Sequence, residues 1–148
     1  MVTDCDVAVV GYGPAGMVTA ALLGQQGHRV VVLERHPGLY NLPRAATFDD
    51  ETMRTFAQLG IAGRLLPGLR VQQTYQWCNG TGEVRLEQHF DLLGRSGWAE
   101  WYMMYQPDLE DALDAVCRGL GSVDVRPSST VTGVAQSADG VQIEYRRG

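Results

Sequence analysis

Three glycines and one carboxylate have the types and spacing to bind a nucleotide. Gly11-Tyr12-Gly13-Pro14-Ala15-Gly16 has the G-x-G-x-x-G form, and Glu34 closes the next apolar run. Gly11 permits a tight turn, Gly13 lets backbone approach a pyrophosphate, and Gly16 lets a helix pack closely on a strand. Pro14 and Ala15 fall at the start of that helix, where amide N–H groups and the positive end of the helix dipole favour phosphate. Glu34, about 20 residues beyond the glycines, can accept hydrogen bonds from an adenosine ribose. Its charge disfavours a 2′-phosphate, while the neighbouring Arg35 leaves NADP open. FAD and NAD are the ligands to which this spacing points first.

A glycine motif alone is a weak signal, and its context must supply a strand before it and a helix after it. Asp6-Val7-Ala8-Val9-Val10 reads as that strand. The helix carries Met17, Ala20, Ala21 and Leu23 and ends at Gly27, and Arg29-Val30-Val31-Val32-Leu33 reads as a second buried strand. Together they form a nucleotide-binding βαβ unit.

Downstream, Arg35 to Ala46 contains Pro37, Gly38 and Pro43 and reads as an irregular loop. Thr47-x-x-Asp50 resembles a capping box, followed by a helix with Met53, Phe56, Ala57 and Leu59 on one face and Gly60 at its end. A short helical turn is expected around Ile61 to Leu66, broken at Pro67-Gly68. Val71 to Cys78 and Glu83 to Glu87, joined at Asn79-Gly80-Thr81-Gly82, predict a hairpin that begins a second sheet. Trp98 to Tyr105 reads as a returning strand. Its Trp98, Trp101, Tyr102, Met103, Met104 and Tyr105 suit either a core or the wall of an aryl pocket. Gln106-Pro107 opens a helix whose Leu109, Leu113, Val116, Cys117 and Leu120 share a face. Three short strands, from Val123, over Thr130 to Ala135 and over Val141 to Tyr145, predict a three-stranded meander.

The chain has 148 residues, net charge −5 and 45% hydrophobic content, ordinary for one globular domain. The acidic balance and the lack of a basic, aromatic-interleaved stripe argue against nucleic acid. All 12 basic residues are arginine, which excludes a Walker-type or Schiff-base lysine within this sequence. His28, His36 and His89 are too scattered for a metal motif. Cys5, Cys78 and Cys117 suggest reduced thiols in a cytoplasmic protein. Met1 to Asp4 has no leader character, and no run reaches membrane-spanning length.

The order Gly11 to Gly16, Leu33-Glu34-Arg35, Pro43-Arg44-Ala45, Gln58-Leu59-Gly60 and Gln106-Pro107-x-Leu109-Glu110-x-x-Leu113 resembles the N-terminal part of class A flavoprotein aromatic hydroxylases, the para-hydroxybenzoate hydroxylase-like enzymes. Phe48-Asp49-Asp50-Glu51 and Gly97-Trp98 bring the likeness nearest to the 3-(3-hydroxyphenyl)propionate hydroxylase group. The resemblance implies an α/β fold: a Rossmann-like FAD-binding βαβ sheet with a β-meander and the beginning of a second, substrate-domain sheet. Residues 1–70 would hold the βαβ unit and following helix, 71–105 partial substrate-domain strands, and 106–148 the return helix and meander.

It also implies FAD held by Gly11, Gly13, Pro14, Ala15, Gly16, Glu34 and Arg35, with Arg44 by the pyrophosphate and ribityl region and Gln106 on the flavin side. NADH or NADPH would be the transient electron donor, and O2 and a phenolic or polyketide-like aromatic the substrates. Catalytic residues are not assigned by it. A reductase or oxidase of the same fold, or a non-catalytic nucleotide-binding module, would share these motifs. The family's later Asp-Gly and Gly-Asp motifs are not in this sequence, so a fragment, a truncated form or a degenerate paralogue is expected, with a homo-oligomer or a missing C-terminal portion as its complement.

Overall fold

The computed structural model describes residues 5–40 and 42–148. The reading of Met1 to Asp4, and Asn41 in the loop after Glu34, lie outside the described residues. The chain forms two compact units, one of Met1–Asn41 with Glu110–Gly148 and one of Leu42–Leu109.

The first unit opens with β1 (Val7–Val10), α1 (Pro14–Gln25) and β2 (Val30–Leu33). The two strands are continuous apolar runs, the composition of strands in a covered parallel sheet. They pair in parallel, Val7 opposite Val30 and Val10 opposite Leu33, and all four β2 residues are buried. Met17, Ala20, Ala21 and Gly24 form the buried face of α1, at the i, i+3, i+4, i+7 spacing of an amphipathic helix. The small residues allow close approach: a Cβ on Gly24 would stand 2.5 Å from Val123 Cγ2. The helix ends where Gly27 N–H donates to the Gly24 carbonyl and His28 N–H to that of Leu23, a pairing that satisfies its last carbonyls.

The second unit contains β3 (Thr47–Asp49), α2 (Asp50–Gln58), α3 (Ala62–Leu65) with a 3-10 turn over Leu66–Gly68, β4 (Arg70–Val71), β5 (Thr74–Cys78), β6 (Val84–His89) and β7 (Trp101–Met103). The start of α2 departs from the capping-box reading. Thr47 lies in β3, and the cap is Asp49, whose side chain accepts from Thr52 N–H at 2.9 Å. Asp49 ends the strand and immediately precedes the helix, so its carboxylate reaches a first-turn amide that Thr47, two residues earlier, cannot. Asp50 accepts from Ser96 N–H at 3.0 Å and Ser96 Oγ at 2.8 Å, bonds that hold its carboxyl below the ordinary range.

β7 is the middle of an antiparallel sheet in the order β3-β7-β4, with Phe48 opposite Tyr102. Phe48 meets Phe56 edge-on at 5.2 Å and stacks on Tyr102 at 5.3 Å, and Met53, Leu59 and Ile61 of the same unit are buried. The aromatic run therefore divides. Tyr102 is core, Trp101 stacks on Phe90, and Met103 and Tyr105 are exposed. The expected hairpin forms as β5 and β6, with Trp77 opposite Leu86, but Gln72 and Gln73 separate β4 from β5.

The chain closes with α4 (Gln106–Gly119), β8 (Val123–Arg126), β9 (Ser129–Ser137) and β10 (Gly140–Arg147). Leu109, Ala112, Leu113 and Cys117 are buried along one face of α4, and the boundary between the units falls inside this helix. The three-stranded meander is not what forms. β8 pairs in parallel with β2, Val30 opposite Val123, giving the order β1-β2-β8, while β9 and β10 make a two-stranded hairpin. Pro127, which has no N–H to continue a ladder, and Ser128, at φ 52°, separate β8 from β9.

Candidate nucleotide site

The glycine turn joins β1 to α1, and each glycine has a measurable reason. Gly11 has φ 102°, a region that side chains disfavour. A Cβ on Gly16 would collide with the Gly11 carbonyl oxygen and stand 3.5 Å from Val9 Cγ1. Gly13 is different. Its backbone is extended, at φ −83° and ψ −179°, and a Cβ there would meet nothing within 4 Å among the described residues. Gly11 and Gly16 thus answer to the fold, whereas the space at Gly13 is open to a ligand.

Gly13 is also the N-cap of α1, with Pro14 in its first turn; among the described residues no side chain caps the helix, and no acid stands in that turn. The first-turn amides of Ala15 and Gly16 keep their attraction for an anion. Glu34 stands at the end of β2 and is half-buried. Its Oε2 accepts from Tyr12 N–H at 2.7 Å and its Oε1 from His36 N–H at 2.8 Å. Each carboxylate oxygen retains a further acceptor site, so the group is oriented without being saturated. The Glu34 backbone is held as well, its N–H donating to Arg126 O at 3.0 Å and its carbonyl accepting from Ser129 N–H at 2.7 Å. Arg35 is exposed and its Nε lies 3.2 Å from His36 Nε2. A cradle with space at Gly13, uncapped amides and an oriented carboxylate is the donor and acceptor set that an adenine dinucleotide requires.

Sequence reasoning missed what holds this turn from behind. The Tyr12 phenol donates to Asp114 Oδ1 at 2.9 Å, and Arg118 Nε lies 2.8 and 2.9 Å from the two oxygens of Asp114. The Cys117 thiol donates to Met17 O at 3.4 Å. Burial, then the neighbouring Cys117 and Asp114, push the Tyr12 phenol well above its ordinary range, and burial raises the Cys117 thiol. Both are held protonated.

In the second unit, Gln106 is buried at the start of α4, and its Oε1 accepts from Arg44 N–H at 2.8 Å and Ala45 N–H at 2.7 Å. The Pro-Arg-Ala loop is therefore fixed by Gln106 through its backbone. Among the described residues no helix is long and apolar enough to cross a membrane, and no group of three or more His, Cys, Asp or Glu could hold a metal ion.

The βαβ turn and oriented acid define a dinucleotide-binding domain. The chain belongs to the family described as FAD binding domain, whose profile matches residues 4–148. It is 57% identical over 141 residues to a probable NADH-specific resorcinol 4-hydroxylase of Rhodococcus jostii, covering 95% of this chain and 26% of that protein. It is 37% identical to a 3-(3-hydroxy-phenyl)propionate/3-hydroxycinnamic acid hydroxylase of Mycobacterium avium, covering 95% of this chain and 24% of that one. Among solved structures, p-nitrophenol 4-monooxygenase of Pseudomonas putida superposes with a TM-score of 0.81 at 27% identity, over 94% of this chain and 35% of that one. The likeness to flavoprotein aromatic hydroxylases read from the motifs thus holds, with a probable resorcinol 4-hydroxylase among the relatives. The chain spans about a quarter of the length of these curated relatives.

Proposed function

We propose that this chain is the FAD-holding part of an NADH-dependent monooxygenase that hydroxylates a phenolic ring, with a small dihydroxybenzene of the resorcinol kind as the first substrate to test. The observation that carries the reading is the open cradle at Gly13 beside the oriented Glu34 carboxylate, in a chain 57% identical to the corresponding part of a resorcinol hydroxylase. When bound, FAD supplies the redox chemistry, drawing on a nicotinamide donor and O2.

The residues themselves bind and orient. Gly11 and Gly16 shape the turn, and Gly13, Pro14 and Ala15 present backbone to the pyrophosphate. Glu34 takes the ribose, with Arg35 beside it at the surface. Arg44 offers a guanidinium suited to bidentate phosphate contact, and Gln106 serves the cofactor by fixing the loop that carries Arg44. The strands of 71–105 are assigned to the substrate side.

The test is turnover by the full-length enzyme that carries this chain, with FAD, NADH or NADPH, and a phenol panel that includes resorcinol and 3-(3-hydroxyphenyl)propionate; residues 1–148 alone are expected to be inactive. NADH consumption matched by hydroxylated product is expected. NADH oxidation that yields only H2O2 with every phenol would contradict the hydroxylase reading and leave an oxidase or reductase.

A further inference from the structure

Tyr12 occupies a position in the glycine turn where the motif itself asks for nothing in particular, yet it is tied at both ends. Its backbone N–H donates to Glu34 Oε2 at 2.7 Å, and its phenol donates to Asp114 Oδ1 at 2.9 Å, 102 residues along the chain. Tyr12 is 7% exposed. Asp114 is oriented in turn by Arg118, whose Nε spans both carboxylate oxygens, and Cys117 on the same helix lies against the phenol. A neutral phenol donating to an ionised carboxylate makes a charge-assisted bond, stronger than a neutral pair.

We propose that Tyr12 is a positioning residue for the nucleotide ribose: its phenol, anchored on Asp114, holds the Gly11–Gly13 peptides in the orientation that aims the Tyr12 N–H at Glu34, and so fixes the carboxylate that reads the ribose hydroxyls. Selectivity for a ribonucleotide over its 2′-deoxy form is then set in part by a helix that need not touch the ligand. The proposal rests on the FAD reading of the same turn. Tyr12→Phe isolates the effect, because it keeps the buried ring and leaves Asp114 its Arg118 partner. Asp114→Asn keeps an acceptor for the phenol, and Asp114→Ala removes it.

The experiment measures dissociation constants of the purified protein for ADP and 2′-deoxy-ADP by calorimetry, with the melting temperature of each ligand-free variant. Wild type should prefer ADP by about tenfold, the scale of one hydrogen bond to a charged group. In Tyr12→Phe and in Asp114→Ala that preference should fall to about a third or less, and Asp114→Asn should restore most of it. A merely structural role lowers affinity for both nucleotides alike and leaves their ratio unchanged.

An unchanged ratio in folded Tyr12→Phe overturns the proposal. Should Tyr12→Phe fail to fold, an unchanged ratio in Asp114→Ala overturns it equally. A wild type that binds FAD and ADP without distinguishing 2′-deoxy-ADP overturns the positioning role and leaves the FAD reading standing. A wild type that binds neither FAD nor ADP overturns both.

Discussion

Gln106 holds Arg44 by its backbone: one amide oxygen accepts from the N–H of Arg44 at 2.8 Å and from that of Ala45 at 2.7 Å, 62 and 61 residues away in sequence. Gln106 is 3% exposed, so the acceptor cannot readily be replaced by water. Gln106→Leu should strand two amide donors and cost about 1–3 kcal/mol, the penalty of unsatisfied partly buried polar groups. Gln106→Glu, which keeps an acceptor, should cost less. Thermal unfolding of both variants checks the order; equal losses would mean that the two hydrogen bonds contribute little.

Gly16→Ala should destabilise the fold by about 1–3 kcal/mol, the usual range for overpacking. Its Cβ would collide with the carbonyl oxygen of Gly11, which is backbone that no rotamer can move aside. The loss should be visible in urea denaturation without any ligand. Wild-type stability in Gly16→Ala would show that α1 can draw back from the turn.

Much of the fold and of the geometry of the candidate site is legible in the sequence alone, and the reason lies in range. The turn, the helix ends at Gly27 and Gly60 and the apolar faces of α2 and α4 are set by residues within a few positions of one another, and local spacing reports them. The strand Val123–Arg126 reads like its successors β9 and β10, and nothing local says that its partner is Val30–Leu33, about ninety residues earlier. A similar separation hides the Tyr12 to Asp114 bond. The departure at the α2 cap is local: Thr47 and Asp49 are both good cap types, and the role falls to Asp49 because it is the residue that immediately precedes the helix, within reach of Thr52 N–H.

Stability should fall as pH rises through the region where exposed thiols and phenols ionise. Cys117 and Tyr12 keep their protons in the folded state above their ordinary values of 9.0 and 10.0. In the unfolded chain both ionise near those values, so the folded state binds more protons at high pH and its advantage shrinks. Below about pH 9 the contribution is fully present. Cys117→Ala should move the onset of alkaline destabilisation upward, toward the tyrosine range. Melting temperatures from pH 7 to 11 check this; an identical onset in wild type and Cys117→Ala would exclude the thiol.

Ser96→Ala should raise the Asp50 carboxyl toward its ordinary value of 3.8, because the hydroxyl donor at 2.8 Å is one of the bonds that depress it. The backbone N–H of Ser96 remains, so only part of the depression should disappear. Carboxyl carbon shifts of Asp50 followed by NMR through acid pH measure the change, and an unmoved titration would assign the effect to the backbone bond alone.

The most direct test of the account is titration of the purified protein with FAD, wild type against Gly13→Val, followed by quenching of flavin fluorescence. The Gly13 backbone suits valine and a Cβ there meets nothing among the described residues, so the variant should fold, with a loss of about 1 kcal/mol because valine is a poor N-cap. The prediction is saturable one-to-one binding by wild type and none by a Gly13→Val variant that is still folded at the temperature of the titration. No saturable binding by wild type, or equal affinity in Gly13→Val, would contradict the assignment of this turn as the pyrophosphate cradle.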